Sequence, residues 1–198
     1  MSNDDLASAA LAKWRTSAAT QEAFFQREAP AIAACARALA AVLDGGGRLY
    51  TLGNGGSACD AQHLAVEFMH PVVTRRVAFP ALALPCDPAL LTAVGNDEDF
   101  ALGFARQIRL LARPGDAVVA LSTSGRSANV LRALGAAREL GLVTVGLTGG
   151  DGGRMADACD HLFVVPSFSI HRIQEAHVLL LHLLWDLVHL ARGEEDVL

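Results

Sequence analysis

The chain has 198 residues, of which 52% are hydrophobic and 19% are charged, so it is long enough for one well-buried core and short for two. A formal net charge of −5 argues against a surface that coats nucleic acid, because such a surface needs clustered Lys and Arg. The charge does not exclude a small anionic ligand, since backbone N–H groups bind phosphate without any lysine.

The segment at about residues 1–45 is Ala-rich and is predicted to be helical. Because the residue before a proline avoids the helical region, we expect two helices with a break near Glu28-Ala29-Pro30. Apolar residues recur every three or four positions from Ile32 to Leu43, which predicts one buried helix face. Gly45-Gly46-Gly47 ends this helix.

From Arg48 onward, short apolar runs alternate with helical segments, a pattern typical of βα units in a parallel sheet. The strand candidates are Leu49–Leu52, Ala81–Leu84, Ala117–Leu121, Val143–Leu147 and Leu162–Val165. Helices are predicted at about Ala58–Met69, Phe100–Leu111, Asn129–Leu140 and Ile170–Ala191, with a short turn near Arg154–Ala158. Strands this short and apolar are expected when helices cover both faces of the sheet. The predicted fold is a single α/β domain over residues 1–198, with three α-β-α layers, a five-stranded parallel sheet of flavodoxin-like type, N-terminal helices to about residue 45 and a long C-terminal helix.

The acidic N-terminus leads into no apolar segment of a secretion signal, and the scattered cysteines are typical of free thiols in a reducing compartment. The most apolar stretch, Val178 to Leu190, contains His182, Asp186 and His189 and is too short to span a bilayer. We therefore expect a cytoplasmic protein with no membrane and no nucleic-acid partner.

Two loops between strands and helices are candidates for anion binding. The first is Gly53-Asn54-Gly55-Gly56-Ser57, whose glycines let N–H groups approach an anion, while Ser57 either caps the helix or contacts a ligand. Without a GxGxxG fingerprint or a Walker lysine, this loop alone is equally well explained as a tight turn. The second, Ser122-Thr123-Ser124-Gly125-Arg126-Ser127, places four hydroxyls at a strand's carboxyl end and a helix N-terminus. A helix cap needs only one serine, so the second loop favours phosphate binding.

His63 and Glu67 are spaced i, i+4, which puts both side chains on one helix face, as a pair of metal ligands requires. Taken alone, such a pair is more often a surface or core contact. The last helix is rich in leucine but carries Gln174 and His182 among several polar groups, which need partners or water.

These motifs together carry a family resemblance. Leu121 and the Ser-rich loop after it resemble the phosphate loop of sugar isomerase (SIS) domains. Further blocks resemble the phosphoheptose isomerases in order and spacing from about position 48 to 190: the Gly-rich loop, Asp60-Ala61-Gln62-His63, Gly95-Asn96-Asp97, Leu147-Thr148-Gly149, Asp151-Gly152-Gly153 and Arg172-Ile173-Gln174-Glu175.

The resemblance implies a metal-assisted ketose/aldose isomerase that interconverts D-sedoheptulose 7-phosphate and D-glycero-D-manno-heptose 7-phosphate, with one zinc per subunit of a homotetramer. It implies that the metal ligands are His63, Glu67, Gln174 and His182. Glu67 is our choice for the base at carbon, and His182 for the second acid/base group. Sugar and phosphate binding is expected from Asn54, Gly55, Gly56, Ser57, Glu67, Asn96, Asp97, Ser122, Thr123, Ser124, Ser127 and Gln174.

Helix geometry adds a constraint on the metal ligands. Gln174 and His182 are eight residues apart, about 12 Å along a helix, and do not reach one ion unless both side chains extend fully. We therefore predict that the site is completed between subunits, with His182 or Gln174 supplied by a neighbour.

Three positions depart from the phosphoheptose isomerase pattern and bear on substrate identity more than on reaction type. The chain reads Phe68-Met69-His70-Pro71 where the family commonly has Gly-Arg, which leaves Arg75 or Arg76 as substitutes. His171 replaces an Asp, and Val66 occupies a position that is often a second Glu.

Two non-catalytic alternatives share the fold. A SIS tetramer of the DnaA initiator-associating type would bind protein partners, and a SIS sensor would bind a sugar phosphate without turning it over. The intact Glu67 and His182 favour an enzyme over the first, and the lack of a DNA-binding or partner domain in the sequence weakens the second.

Overall fold

The computed structural model describes residues 1–72 and 76–196, which form a parallel sheet and the helices around it. The strands are β1 (Leu49–Gly53), β2 (Ala81–Ala83), β3 (Ala117–Leu121), β4 (Val143–Gly149) and β5 (His161–Val165). The α-helices are α1 (Asn3–Asp44), α2 (Gly56–Met69), α3 (Pro88–Asp97), α4 (Gly103–Leu111), α5 (Ala128–Glu139) and α6 (Ile170–Ala191). Two single 3-10 turns, Leu84–Cys86 and Phe100–Leu102, precede α3 and α4.

The five strands are parallel and follow the order β2-β1-β3-β4-β5, as predicted. The chain leaves β1 towards β2 on one side and returns to β3 on the other. The β1–β3 ladder runs from Leu49 opposite Ala117 to Gly53 opposite Leu121. Open α/β sheets bind ligands at such a reversal of strand order, beyond the carboxyl ends of the strands. Both candidate loops begin there, because one follows β1 and the other follows β3.

Helices cover both faces of the sheet, which confirms the three-layer α/β fold. Leu49 and Val119 face one core with α1, α2 and α6, whereas Tyr50 and Val118 face the other core with α4 and α5. Alternate residues of one strand thus enter opposite cores, and β1 and β3 are buried throughout. Among the described residues, no helix is long and apolar enough to cross a bilayer.

The predicted break at Glu28-Ala29-Pro30 is wrong, since α1 runs unbroken through Pro30. A proline inside a helix removes one backbone hydrogen bond and clashes with the preceding turn. Here Phe24 before the proline and Ile32 after it are both buried in the same core, with exposures of 0% and 3%. Burial on both sides therefore holds one helix where the local rule favours two.

The remaining boundaries agree closely with the sequence, apart from two regions. A helix predicted at Phe100–Leu111 is divided into a 3-10 turn and α4, and α3 has no counterpart among the predicted elements. The Asp87 carboxylate accepts a hydrogen bond from the Leu90 N–H at 2.9 Å, and Pro88 starts the helix. An Asp-Pro pair is as typical of a turn as of a capped helix start, so α3 has no distinctive local signal.

Candidate active site

The Gly-rich loop connects β1 to α2, and its N-cap residue provides no side-chain cap for the helix. Gly55, with a φ of 57°, is the N-cap of α2 and has no side chain with which to cap the helix. Ser57 therefore is not the cap; it lies inside the first turn and is 4% exposed. The glycine at position 53 is required by packing, since a Cβ atom there would lie 2.6 Å from the Ser57 carbonyl oxygen.

The Ser-rich loop connects β3 to α5, and its N-cap residue likewise provides no side-chain cap. Ser127 occupies the N-cap position, but its hydroxyl makes no cap hydrogen bond and lies 3.1 Å from the Ser122 hydroxyl. Ser124 is exposed and Thr123 is partly exposed. Two helices whose N-cap residues make no side-chain cap hydrogen bond thus begin after adjacent strands, where N–H groups and the helix dipole favour an anion.

The loop that follows β4 packs against the Ser-rich loop and forms backbone hydrogen bonds with it. Gly125 has a φ of +62°, and a Cβ atom on it would lie 2.1 Å from the Gly152 carbonyl oxygen. The Arg154 N–H donates to the Gly125 carbonyl at 2.9 Å, and the Gly149 N–H donates to the Thr123 carbonyl at 3.2 Å. These backbone contacts leave no room for a side chain at position 125.

Two asparagines join the candidate loops. Asn54 Nδ2 donates to Asn129 Oδ1 at 2.9 Å, and Asn129 Nδ2 donates to Asn54 Oδ1 at 2.8 Å. Asn129 is the second residue of α5 and is 4% exposed. Sequence reasoning treats it as an ordinary helix residue, although a buried amide so near a helix start is a signal of a specific partner.

His63, Glu67 and His182 converge in one chain. His63 Nε2 lies 3.2 Å from Glu67 Oε1 and 3.2 Å from His182 Nε2, and the three ligand atoms all lie within 4.8 Å of one another. The two imidazole rings meet edge to face at 80°. α2 supplies the first two side chains from one face, and α6 runs beside it to supply the third.

This donor set fits zinc. Two ligand atoms that each lie 2.0–2.1 Å from a tetrahedral zinc are separated by about 3.3 Å, close to both 3.2 Å separations seen here. Imidazole nitrogen and carboxylate oxygen are zinc's usual ligands together with thiolate. Glu67 is partly buried and His182 is exposed, so the cluster is open on one side.

Gln174 lies elsewhere, at the N-terminal end of α2. A Cβ atom on Gly56 would lie 2.4 Å from Gln174 Nε2, so the amide rests directly against the Gly-rich loop. α6 is one unbroken helix, and Gln174 is therefore two turns from His182. The prediction left open whether His182 or Gln174 comes from a neighbour; His182 meets its partners within the chain, whereas Gln174 does not join them.

Buried polar groups next to the site have shifted pKa values. Burial raises the pKa of the Asp60 carboxyl, one turn before His63, and the nearby His63 opposes that rise. Burial lowers the pKa of His177 to about 4, although a hydrogen bond to the Thr148 backbone opposes the shift. His177 Nε2 lies 3.2 Å from the Thr148 carbonyl oxygen, which links α6 to the end of β4. Resemblance and spacing assign His177 no role.

Asn96 and Asp97 are not brought to the loops. They end α3, where both are exposed and Asn96 Nδ2 donates to Asp97 Oδ1 at 2.7 Å. Within residues 1–72 and 76–196, neither forms a hydrogen bond with the Gly-rich or the Ser-rich loop.

The departures from the family pattern lie on the surface or away from the triad. His70 and His171 are exposed, and Val66 is 48% exposed. Arg76, a candidate substitute for the missing arginine, is buried and donates to Asp186 Oδ1 at 2.7 Å while its guanidinium lies over the Trp185 ring. The other candidate, Arg75, lies outside the described residues.

Comparison with known proteins matches the chain to one family. The SIS-domain family model matches residues 14–149 of the chain. The phosphoheptose isomerase of Desulfovibrio desulfuricans is 47% identical over 185 residues, which cover 93% of this chain and 88% of that protein. The phosphoheptose isomerase of Rhodospirillum rubrum is 51% identical over 160 residues, which cover 81% of this chain and 85% of the relative.

Solved structures give the same result in three dimensions. Phosphoheptose isomerase from Neisseria gonorrhoeae superposes with a TM-score of 0.87 at 37% identity, covering 92% of this chain and 98% of that one. The enzyme of that name from Francisella tularensis has a TM-score of 0.88 at 34% identity, with 95% and 98% covered. The residues matched by the SIS-domain family model, 14–149, include both loops and the His63–Glu67 pair.

Proposed function

Because this chain belongs to the phosphoheptose isomerase family of SIS-domain proteins, we propose that it interconverts D-sedoheptulose 7-phosphate and D-glycero-D-manno-heptose 7-phosphate. The chain is a phosphosugar isomerase of that family. One observation carries the specific proposal: an open triad of a carboxylate and two imidazoles lies two helical turns along α2 from its N-terminus, and α2 and α5 begin after adjacent strands.

The separation between these two regions is long enough to accommodate a seven-carbon sugar phosphate. From Gly56 to His63 along α2 is seven residues, about 10 Å. An extended heptose spans about 10 Å from C1 to the phosphorus atom, given carbon–carbon bonds of about 1.5 Å. A substrate whose phosphate is held at the loops therefore presents C1 and C2 to the triad.

At the phosphate end, the hydroxyls of Ser57, Ser122, Ser124 and Ser127 and the free N–H groups of α2 and α5 bind the dianion. Asn54 and Thr123 contact sugar hydroxyls beside it. Fixing the remote end of the substrate orients the reacting carbons, which lowers the entropic part of the barrier. Asn96 and Asp97 also belong to the proposed sugar site, although among the described residues of this chain neither hydrogen-bonds to the loops.

At the reacting end, Glu67 removes the proton from carbon and returns it to the neighbouring carbon, through an ene-diol(ate). Its Oε1 faces His63, which leaves Oε2 free to act as the base. His182 is the second acid/base group and transfers the oxygen-bound proton between the two substrate oxygens. Zinc held by His63, Glu67 and His182 would polarise the substrate's carbonyl and hydroxyl oxygens.

Gln174 is proposed as the fourth ligand, supplied by another subunit of a homotetramer. Within one chain this amide contacts Gly56, two turns from the triad. A neighbour's Gln174 would complete a four-ligand site with one zinc per subunit.

The test is proton transfer by a Glu67→Gln variant, with sedoheptulose 7-phosphate as substrate. We expect kcat to fall at least about a hundredfold, because a positioned base contributes roughly 10²–10⁴ to the rate. Exchange of the substrate's C1 hydrogens with solvent deuterium, followed by NMR, should be lost in parallel. Glu139→Gln is the matched control, because Glu139 is an exposed carboxylate on α5 paired with Arg109.

Near-normal turnover by Glu67→Gln would exclude Glu67 as the base. Failure of the unaltered protein to isomerise any of a panel of ketose phosphates would favour the sensor or the protein-binding alternative. Zinc should copurify with the protein, and its removal by a chelator should abolish turnover until zinc is restored.

A further inference from the structure

The amide pair between Asn54 and Asn129 has a defined orientation. The backbone N–H of Val130 lies 3.0 Å from the amide atom of Asn129 that faces Asn54 Nδ2. A backbone N–H only donates, so that atom must be the oxygen of Asn129. The orientation of Asn54 follows, because its NH₂ must face this oxygen and its own oxygen must face the NH₂ of Asn129.

This pairing takes up part of the hydrogen-bonding capacity of Asn54. One N–H and one lone pair of its amide point to Asn129, so one N–H and one lone pair are left for a ligand. Asn129 is 4% exposed, and its oxygen also accepts from Val130. Asn129 therefore acts on a ligand through Asn54 rather than by direct contact.

The amide pair lies just beyond the last residues through which β1 and β3 are paired in the sheet. The β1–β3 ladder ends with Gly53 opposite Leu121, and Asn54 is the next residue along the chain. Beyond this point, the two loops diverge into α2 and α5. The amide pair thus continues the link between them across a sequence separation of 75 residues.

A merely structural residue would not need this chemistry. Burying an amide costs free energy unless it is hydrogen-bonded, and here its partners are Asn54 and the Val130 N–H. An apolar side chain would fill the same space in the first turn of α5 without that cost. What the amide adds is a fixed distance between the first turn of α5 and the Gly-rich loop.

We propose that Asn129 is a positioning residue for the phosphate end of the substrate. Through its reciprocal pair with Asn54, it holds the free N–H groups of α2 at the spacing from those of α5 that one phosphate requires. This inference rests on the proposed function, because it assumes that both helix N-termini bind the same dianion.

A double-mutant cycle tests the proposal, with inorganic phosphate as the probe and calorimetric titration as the measurement. Asn129→Ala should weaken phosphate binding about tenfold in the unaltered protein, as expected when hydrogen bonds to an anion lose their alignment. In an Asn54→Ala background, the same substitution should change phosphate affinity by less than about twofold, because its partner is already gone. The KM for sedoheptulose 7-phosphate should rise with the phosphate Kd, with a smaller change in kcat.

Gln107→Ala is the matched control. Gln107 is also a buried amide, 5% exposed, and it donates to the carbonyls of Leu84 and Gly103 away from both loops. Its loss should lower the melting temperature while leaving phosphate affinity unchanged. A general loss of stability is thereby separated from a loss of positioning.

Two results would overturn the proposal: unchanged phosphate affinity in Asn129→Ala, or an equal loss of affinity with and without Asn54. If Asn129→Ala does not fold, Asn129→Ser serves in the same cycle, because serine keeps a polar side chain in the first turn of α5 but is too short to reach Asn54. Because the probe is phosphate, a protein that binds it without isomerising heptose phosphates would refute the proposed substrate and leave this measurement valid.

Discussion

His177 makes the stability of the fold depend on pH in a predictable range. The imidazole is completely buried, and burial lowers its pKa from 6.5 to about 4. In the unfolded chain the pKa is about 6.5, so between these values the unfolded state binds a proton that the native state does not. Native stability therefore falls as the pH drops through 6.5, and the loss reaches its limit near pH 4. At pH 5, about 1.5 pH units below the unfolded pKa, the loss is about 2 kcal/mol.

Urea unfolding at pH 7.5 and pH 5.0 measures this loss when the unaltered protein is compared with His177→Gln. The glutamine retains an N–H that can donate to the Thr148 carbonyl but does not titrate. Other ionisable groups contribute equally to both proteins, so the unaltered protein should lose about 2 kcal/mol more than the variant between the two pH values. Gln107→Ala, a buried change without a titratable group, should keep the full pH dependence. Equal losses in the unaltered protein and His177→Gln would refute the assignment of a neutral, buried imidazole.

Two further predictions concern the loops and the shared site. Gly125→Ala should lower stability by at least about 2 kcal/mol, seen as a fall in Tm of about 4–8 °C, because its φ of +62° and a carbonyl 2.1 Å from the new Cβ forbid the side chain. Gly135→Ala, in open space on α5, should instead raise stability by about 0.5–1 kcal/mol, and a similar loss at both glycines would contradict the steric argument. If Gln174 reaches a neighbour's triad, coexpressed Gln174→Ala and His182→Ala subunits should form mixed tetramers with part of the activity that each variant lacks alone. Mixed tetramers that stay inactive would place Gln174 in its own chain's site.

The parts of the fold that follow from the sequence are those with strong local patterns. The apolar run at Ala117–Leu121 and the long helix at Ile170–Ala191 have the predicted bounds, because burial on both sheet faces and leucine periodicity leave few alternatives. Pro30 illustrates the opposite case, since packing of α1 on both sides of the proline overrides a local rule.

The candidate site also contains features that the sequence predicts and features that it does not. The i, i+4 spacing of His63 and Glu67 could be read directly, whereas their meeting with His182, 119 residues away from His63, was expected only from family resemblance. The Asn54–Asn129 pair carries no signal in local spacing, because its members are 75 residues apart and belong to different loops. The position of Gln174 against Gly56 likewise depends on how α6 lies beside α2, which no single segment encodes.

In the proposed substrate pose, the parallel helices α2 and α6 set the length of sugar that fits between the loops and the triad. Gly56 of α2 faces Gln174 of α6 at one end of this interval, and His63 faces His182 at the other end. Inserting a single residue into one helix between these two contacts would rotate the second contact residue by about 100° and advance it by only about 1.5 Å. The side chains of the two helices would then no longer face each other. Only the addition of a whole turn to both helices keeps both contacts in place. A whole turn lengthens the interval by about 5.4 Å, roughly the length that four carbon atoms add to an extended sugar. A step of that size cannot separate a hexose from a heptose, so in the proposed pose the loops, and not the two helices, discriminate between sugars that differ by one carbon.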